Sequence, residues 1–213
     1  MMAYYKIAER DPDVLTKQIK YSSLFTIPNE GEQIVPPEKP IEVGKIYTVD
    51  DLIFHAIVYS DNQAVTLLIN SLDPKELHDL YNLLGVDDSI LIQEDGTLTV
   101  KNYSAFLRIL FNASYLTAEY SEKALGLLTL TKFNNGLVAG IPSKTLVAHK
   151  FGEAGFLDGL QQLHDCGIIY YPKHPYLLCV MTRGTGSVGQ LESAIADVSK
   201  FVYDRIDEQY KNQ

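Results

Sequence analysis

Two short polar groups have residue types that could bind a ligand beside a strand edge. Ser60, Asp61 and Asn62 lie where one predicted helix ends and the next begins, so their side chains can project into a cleft. Lys150 ends an apolar run that is predicted to be a strand, and Gly152 follows it closely. A glycine at a strand edge lets a ligand or another backbone approach. These two groups are the candidate functional residues of the sequence.

Each group also has an ordinary structural interpretation. Ser, Asp and Asn are preferred at the N-caps of helices, so the Ser60 triplet can be a helix cap. A lysine at a strand end is usually a solvated surface residue. Patterns of only three residues also occur often by chance, so neither group identifies a functional site by itself. The strand pleat would point Lys150 to one face of the sheet and His149 and Phe151 to the other. Residue types alone leave both interpretations open.

The composition is that of an acidic globular protein. The 213 residues carry a formal net charge of -9 and have a pI near 5.0, which leaves no basic stripe to neutralise phosphates. Nucleic acids and anionic membrane surfaces are therefore poor candidates as partners. No spacing of Cys and His predicts a metal site, and no cofactor is expected. Residues 1–6 lack the features of a signal peptide, so an export signal is expected to lie upstream.

The hydrophobic pattern changes near residue 142 and predicts an α+β fold in one domain of residues 1–213. Residues 1–142 are predicted to be mainly helical, with a long loop at 22–47, and residues 143–213 to form strands and a C-terminal helix. Helix starts are predicted at Asp11-Pro12, Thr48, Asn62, Asp73-Pro74, Thr99 and Thr117. Short strands are predicted at 145–150, 167–171 and 176–182. The last helix, 187–210, has apolar residues spaced to cover one face of a sheet: Leu191, Ile195, Val198, Val202 and Ile206.

The two cysteines flank a predicted turn at residues 172–175. A hairpin centred on that turn makes Cys166 and Cys179 diagonal neighbours on one face. Diagonal neighbours are roughly 7 to 8 Å apart, which is outside the geometry of a disulfide. We therefore predict two buried free thiols.

The order and the context of the two polar groups make a resemblance specific. The chain resembles the class A β-lactamase and penicillin-binding family of serine hydrolases, whose motifs are S-x-x-K, then S-D-N, then K-T-G. Residues 59–64 are similar to the start of the S-D-N helix of that family, and residues 147–152 to its K-T-G strand. Residues 163–183 and the terminal helix resemble the elements that follow. The resemblance implies the β-lactamase/transpeptidase-like fold, with a helical lobe and an antiparallel sheet flanked by helices.

The motif that bears the nucleophile is not found in the sequence. Ser-x-x-Lys occurs nowhere between Met1 and Ser60, and residues 2–6 are similar to the part of the family's helix that follows this motif. The resemblance therefore implies a domain that is incomplete at its N-terminus, with the serine, the lysine and the first strands expected upstream. The run at 176–183 would then expose an apolar sheet edge, and we predict a homodimer or strand exchange through it.

Three positions depart from the family pattern. Phe151 replaces a Thr or Ser hydroxyl that helps to hold the substrate carboxylate. Glu153 occupies a position whose backbone amide helps to form the oxyanion hole, and an acidic side chain there disfavours an anion. No E-x-x-L-N follows Gly85, so the loop with the deacylating glutamate is expected to be absent or short, and Glu94 and Asp95 are expected to be turn residues.

The resemblance also implies roles for the matching residues. Ser60 would relay a proton to the leaving nitrogen, and Lys150 would support it and attract the substrate carboxylate, which makes both catalytic candidates. Asn62 would hydrogen-bond the substrate amide, and Asp61 would brace the loop. The residues after the lysine would line the bound substrate: Phe151, Gly152 and Glu153.

The implied chemistry forms an acyl-enzyme on β-lactams or D-Ala-D-Ala-like amides. The chain itself is expected to be inactive because it lacks the nucleophile. A non-catalytic domain that binds a peptidoglycan-like ligand, or a domain like the penicillin-binding D,D-peptidases, stays open as an alternative. Export to the periplasm or the cell exterior is implied by the resemblance alone.

Overall fold

The computed structural model describes residues 1–25, 33–84, 99–155 and 159–211. The chain forms two compact units. The first consists of Met1–Asn29 and Pro37–Leu127, and the second of Glu30–Pro36 and Leu128–Gln213. The first unit is mainly helical, and the second combines an antiparallel sheet with a long helix, so the predicted α+β class is confirmed. None of the helices among the described residues is long and apolar enough to cross a membrane.

The helices of the first unit are Met2–Ala8 (α1), Val49–Val58 (α2), Asn62–Asn70 (α3), Pro74–Leu84 (α4), Val100–Phe111 (α5) and Ala118–Leu128 (α6). Three of them, α2, α3 and α5, begin at a residue whose side chain caps the helix. The Oγ1 of Thr48 accepts a hydrogen bond from the Asp51 amide (3.1 Å), and the Asp51 carboxylate accepts one from the Thr48 amide (3.0 Å). Thr99 caps α5 by accepting from the Asn102 amide (3.1 Å). The helix starts predicted at Thr48 and Thr99 are confirmed, and the two bonds at Thr48 form a capping box.

The helix predicted after Asp11 is instead a single 3-10 turn, Pro12–Thr16, and the Asp11 side chain makes no capping hydrogen bond. Instead of a helix, the following residues form the strand Gln18–Lys20 (β1), in which Ile19 lies opposite Tyr47 of the strand Ile46–Thr48 (β2). The prediction was wrong because cross-strand pairing with a segment 28 positions later outweighs a weak local periodicity.

The second unit is built on three antiparallel strands in the order β3-β4-β5. Their bounds are Val147–Gly155 (β3), Gln161–Ile169 (β4) and Tyr176–Gly184 (β5), and the helix Val188–Tyr210 (α7) follows. All three predicted strands are present, but each is longer than its apolar run because polar residues at its end also pair. The buried residues of this core come from the strands, α7 and the segment before β3: Phe133, Leu137, Phe151, Leu163, Leu191 and Ile195.

The buried face of α7 differs by one position from the prediction. Val198, assigned to this face, is 42% exposed, whereas Ser199 is buried and its hydroxyl donates to the Leu137 carbonyl (2.8 Å). The 3-10 turn Leu137–Gly140 packs closely here, since a Cβ on Gly140 would clash with the Ala196 carbonyl oxygen. A small residue on α7 therefore fits this contact better than an apolar one.

The two cysteines form a disulfide, so the prediction of free thiols was wrong. Cys166 pairs directly with Cys179 across β4 and β5. The turn between the strands runs from Tyr171 to His174, whose amide donates to the Tyr171 carbonyl (3.0 Å), and Lys173 adopts a positive φ of 62°. The hairpin centre therefore precedes Lys173 instead of following it, which converts the predicted diagonal pair into a direct one.

Candidate active site

The S-D-N turn holds Ser60 in an uncommon backbone conformation. Ser60 follows the end of α2 and has a positive φ of 55°, a left-handed conformation that few non-glycine residues adopt. The backbone on its C-terminal side is tied back to α2, because the Asp61 amide donates to the His55 carbonyl (3.2 Å). Such conformations persist where neighbouring structure holds them, and they are common in ligand-binding and catalytic turns.

The carboxylate of Asp61 accepts three hydrogen bonds from backbone amides around the turn. Its Oδ1 caps α3 by accepting from the amides of Gln63 (2.9 Å) and Ala64 (3.2 Å). Its Oδ2 accepts from the amide of Ile41 (2.7 Å), and only 1% of the residue is exposed. These bonds support both the cap interpretation of the triplet and the bracing role of Asp61. They also anchor the loop before α2 to the start of α3.

Gln63 is a further anchor that the sequence did not indicate. Its Oε1 accepts hydrogen bonds from the Tyr21 hydroxyl (2.7 Å) and the Phe25 amide (2.8 Å), while its Nε2 donates to the Phe25 carbonyl (3.0 Å). Asn62, the first residue of α3, is half-buried, and its carbonyl accepts from the Thr66 hydroxyl (2.9 Å). The first turn of α3 is therefore fixed from both sides.

In the second unit, Lys150 lies on β3, an edge strand of the sheet described. Its Nζ donates to the Phe151 carbonyl (2.7 Å) and lies 4.2 Å from the centroid of the Phe151 ring. Burial lowers the pKa of Lys150 to about 8, and the carboxylates of Asp165 and Glu153 oppose this shift. A pKa of about 8 leaves the amine mostly protonated at neutral pH.

The outer edge of β3 carries backbone groups that do not face β4. The His149 carbonyl accepts a hydrogen bond from the Thr131 hydroxyl (2.8 Å), and the Phe151 carbonyl accepts one from Lys150. In an antiparallel ladder, outward-facing backbone groups recur at every second residue. The amide of Glu153 therefore points to the same edge as these two carbonyls.

The residues beside Lys150 differ sharply in what they offer a ligand. Phe151 is 4% exposed and its ring stacks on Phe133 at a centroid distance of 4.4 Å, so the assignment of Phe151 to substrate binding can concern only its backbone. A Cβ placed on Gly152 would meet no atom within 4 Å, so the backbone there borders open space. At this strand edge a ligand would therefore meet backbone groups and the ammonium group of Lys150.

A buried His–Asp pair links β3 to the adjacent strand β4. The His149 Nδ1 lies 2.9 Å from the Asp165 Oδ1, and the Asp165 Oδ2 accepts from the Leu137 amide (3.0 Å). Both side chains are buried in the second unit. The sequence contained one signal for this pair, since a carboxylate in the apolar run around Asp165 requires a buried partner.

Two expectations concern groups outside these elements. Among the residues that the structure describes, no cluster of three or more His, Cys, Asp or Glu could hold a metal ion. Glu94 and Asp95, the carboxylates nearest to the position of the family's deacylating glutamate, lie outside the described residues.

Comparison with known proteins decides the family. The profile of the β-lactamase enzyme family matches residues 1–206. The chain belongs to the β-lactamase enzyme family. A search of curated proteins finds no significant match.

Solved structures of this family share the fold at low sequence identity. A PBP-A variant in an acyl-enzyme complex with penicillin G is 19% identical, with a TM-score of 0.75 over 97% of this chain and 78% of that chain. A class A β-lactamase from Mycobacterium abscessus is 22% identical, with a TM-score of 0.75 over 96% and 80% of the two chains. A class A β-lactamase from Bacteroides cellulosilyticus is 18% identical, with a TM-score of 0.75 over 97% and 80%. The fold is therefore the predicted β-lactamase/transpeptidase-like fold.

Proposed function

We propose that this chain binds β-lactams or D-Ala-D-Ala-like amides at the outer edge of β3. The observation that carries the proposal is the edge itself, where a protonated Lys150, open space beside Gly152 and the outward amide of Glu153 occur within four residues. A carboxylated acyl amide offers one anion to the lysine and one carbonyl oxygen to the amide. The PBP-A variant with the same fold forms an acyl-enzyme with penicillin G, which supports this ligand class.

The motif positions extend the proposal to the first unit. By motif position, Ser60 is the residue that would relay a proton to a leaving nitrogen if a nucleophile were present, and Asn62 is the residue that would hydrogen-bond a substrate amide. The bonds of Asp61 and Gln63 support this assignment because they fix the backbone that carries both side chains. Asp61 acts as a positioning residue.

The 213 residues contain no Ser-x-x-Lys, so we propose that the chain holds these ligands without forming an acyl-enzyme. We expect no hydrolysis of a chromogenic cephalosporin and no covalent labelling by a fluorescent penicillin, because no serine has the paired lysine that activates the nucleophile. Denaturing gels and intact-mass spectrometry provide the measurement. Stoichiometric labelling of any serine would contradict the proposal.

Reversible binding tests the ligand class separately. Lys150→Ala should weaken the binding of penicillin G by about tenfold or more, since a hydrogen bond to a charged group contributes about 1.5 to 3 kcal/mol. The matched control is Lys144→Ala, which removes an exposed lysine from the same unit. Equal affinities for both variants in calorimetric titrations would count against a role for the β3 edge.

A second candidate function is that of a non-catalytic domain that binds a peptidoglycan-like ligand instead of a β-lactam. The observation that favours it is Phe151, whose buried ring replaces the hydroxyl that enzymes of the family use for the substrate carboxylate. Binding of peptidoglycan fragments with retention of the Lys150 dependence, but without binding of penicillin G, would favour this candidate.

We also propose that β5 mediates association between copies of the chain. Among the described strands, β5 pairs with β4 alone, and it is nine residues long with few charges. Long apolar edges tend to pair with other strands. Leu177 is 38% exposed on this strand, so Leu177→Lys should shift the protein from dimer towards monomer in light scattering. Leu146→Lys, at an exposed position outside β5, is the control, and a strictly monomeric wild type at high concentration would contradict the proposal.

The disulfide between Cys166 and Cys179 supports an exported protein. Disulfides persist mainly in oxidising environments such as the periplasm and the cell exterior. Members of the β-lactamase family are typically exported, and together with this bond the family supports our proposal that the protein is exported.

A further inference from the structure

Glu153 brings a carboxylate to the edge that is proposed to bind anionic ligands. The residue follows Gly152 on β3, and its Oε2 accepts a hydrogen bond from the amide of Val35 (2.8 Å). Val35 itself packs against the apolar core of the second unit. The side chain of Glu153 is therefore held in place, and it does not swing freely in solvent.

The other charged and titratable groups around Glu153 lie on β3 itself, on β4 and on β5. On its own face of the sheet lie His149 and Asp165, which bond to each other, and α7 contributes only apolar residues to this core. On the opposite face of the strands, by register, lie Lys150, His164 and Arg183. Burial lowers the pKa of His164, which keeps that ring neutral at neutral pH.

Lys150 therefore already has internal counter-charges. The carboxylates of Asp165 and Glu153 both act on its ammonium group, so a ligand carboxylate competes with two internal anions for the lysine. Asp165 is engaged with His149 and the Leu137 amide. Glu153 is the member of the set that lies beyond the lysine on the edge strand, where a ligand would be bound.

We infer that Glu153 is a specificity-determining residue that couples the binding of a ligand carboxylate to the uptake of a proton by its own side chain. The inference rests on the proposed function. An ionised Glu153 repels a second carboxylate near Lys150, whereas a protonated Glu153 does not. At neutral pH an ionised Glu153 therefore weakens the binding of anionic acyl amides at this edge and leaves the binding of uncharged ones unchanged.

The sign of the pH dependence follows from the surroundings of Glu153. Burial raises the pKa of Glu153 above its ordinary value, while bonds from Val35, Gln33 and Ile34 and the charge of Lys150 oppose the shift. The affinity for an anionic ligand thus rises as the pH falls through a range above that of an ordinary glutamate. A separate loss of affinity is expected as the pH rises past about 8, where Lys150 loses its charge.

The experiment compares penicillin G with its methyl ester, which lacks the carboxylate, by calorimetric titration at about pH 5 and about pH 6.5, where Lys150 stays protonated at both values. For the wild type we expect penicillin G to bind more tightly at the lower pH with proton uptake, and the ester to bind equally at both. Glu153→Gln should bind penicillin G about tenfold more tightly than the wild type at the higher pH and should lose the pH dependence. The amide oxygen of glutamine can still accept from Val35, and the two wild-type titrations decide the matter even if the variant folds poorly.

Glu208→Gln, which removes an exposed acid at the end of α7, is the control and should behave as the wild type. A pH dependence that persists in Glu153→Gln, or that the methyl ester shares, overturns the inference and leaves the proposed function standing. Absence of binding of either compound to every variant at both pH values contradicts the proposed function and the inference with it.

Discussion

Asp61→Ala is expected to lower the free energy of unfolding by about 3 to 5 kcal/mol. Its carboxylate is the acceptor for the amides of Gln63, Ala64 and Ile41, and the site is closed to water. Removing a buried charged acceptor leaves its donors unsatisfied, which costs more than an exposed helix cap does. Urea denaturation followed by circular dichroism measures the change, with the m-value as a check on two-state unfolding.

Asp73→Ala is the matched control for Asp61→Ala. Asp73 also bonds an amide at the start of a helix, that of Lys75 (2.9 Å), but it is exposed and has no loop partner among its described bonds. Its loss should cost about 1 kcal/mol. Asp61→Asn keeps one acceptor oxygen and should fall between the two. Equal losses for Asp61→Ala and Asp73→Ala would show that Asp61 is no more than a cap.

The same residue marks the limit of what the sequence could predict about the turn. An aspartate before an apolar helical run predicts a cap, because the bonds concern amides two and three residues later. The bond to Ile41 spans 20 positions across an irregular loop, and no periodicity or propensity encodes it. The hydrogen bonds of Gln63 with Tyr21 and Phe25 could not be predicted for the same reason.

The hairpin shows how a small local error changes a chemical conclusion. The apolar runs and the proline predicted both strands and their turn correctly in type. The centre was placed one residue too late because Lys173, a residue with a side chain, adopts the left-handed conformation that usually indicates glycine or asparagine. One residue at the centre shifts the pairing by two, and this decides between free thiols and a disulfide.

In the candidate site, too, the features encoded by local sequence could be predicted, and those that depend on contacts between distant segments could not. Motif order was sufficient to predict the fold and to select Ser60 and Lys150, since chain order is preserved in the sequence itself. The burial of Phe151, the bond from Val35 to Glu153 and the pairing of His149 with Asp165 depend on side-chain packing between distant segments. The sequence had selected Glu153, but its fixed position and the part played by Asp165 in the charge of Lys150 were found only in the structure.

Asp165→Ala is the second substitution with a large expected effect, a loss of about 3 to 5 kcal/mol in the free energy of unfolding. The carboxylate is buried and accepts from the Leu137 amide and, through its other oxygen, pairs with His149. The carboxylate is also closely packed against the backbone of Gly136, where an added Cβ would lie 2.5 Å from the Asp165 Oδ2. Truncation would leave two buried donors without an acceptor. Chemical denaturation again provides the measurement.

A further consequence separates an electrostatic role of Asp165 from a purely structural one. Because the charge of Asp165 raises the pKa of Lys150, its removal in Asp165→Asn should move that pKa below about 8, which NMR titration of the lysine can detect. Asp204→Ala, which breaks an exposed pair with Lys200, should change stability by less than about 1 kcal/mol and leave the lysine unaffected. An unchanged Lys150 pKa in Asp165→Asn would confine Asp165 to packing, and the charge of the edge would then depend on Glu153 alone.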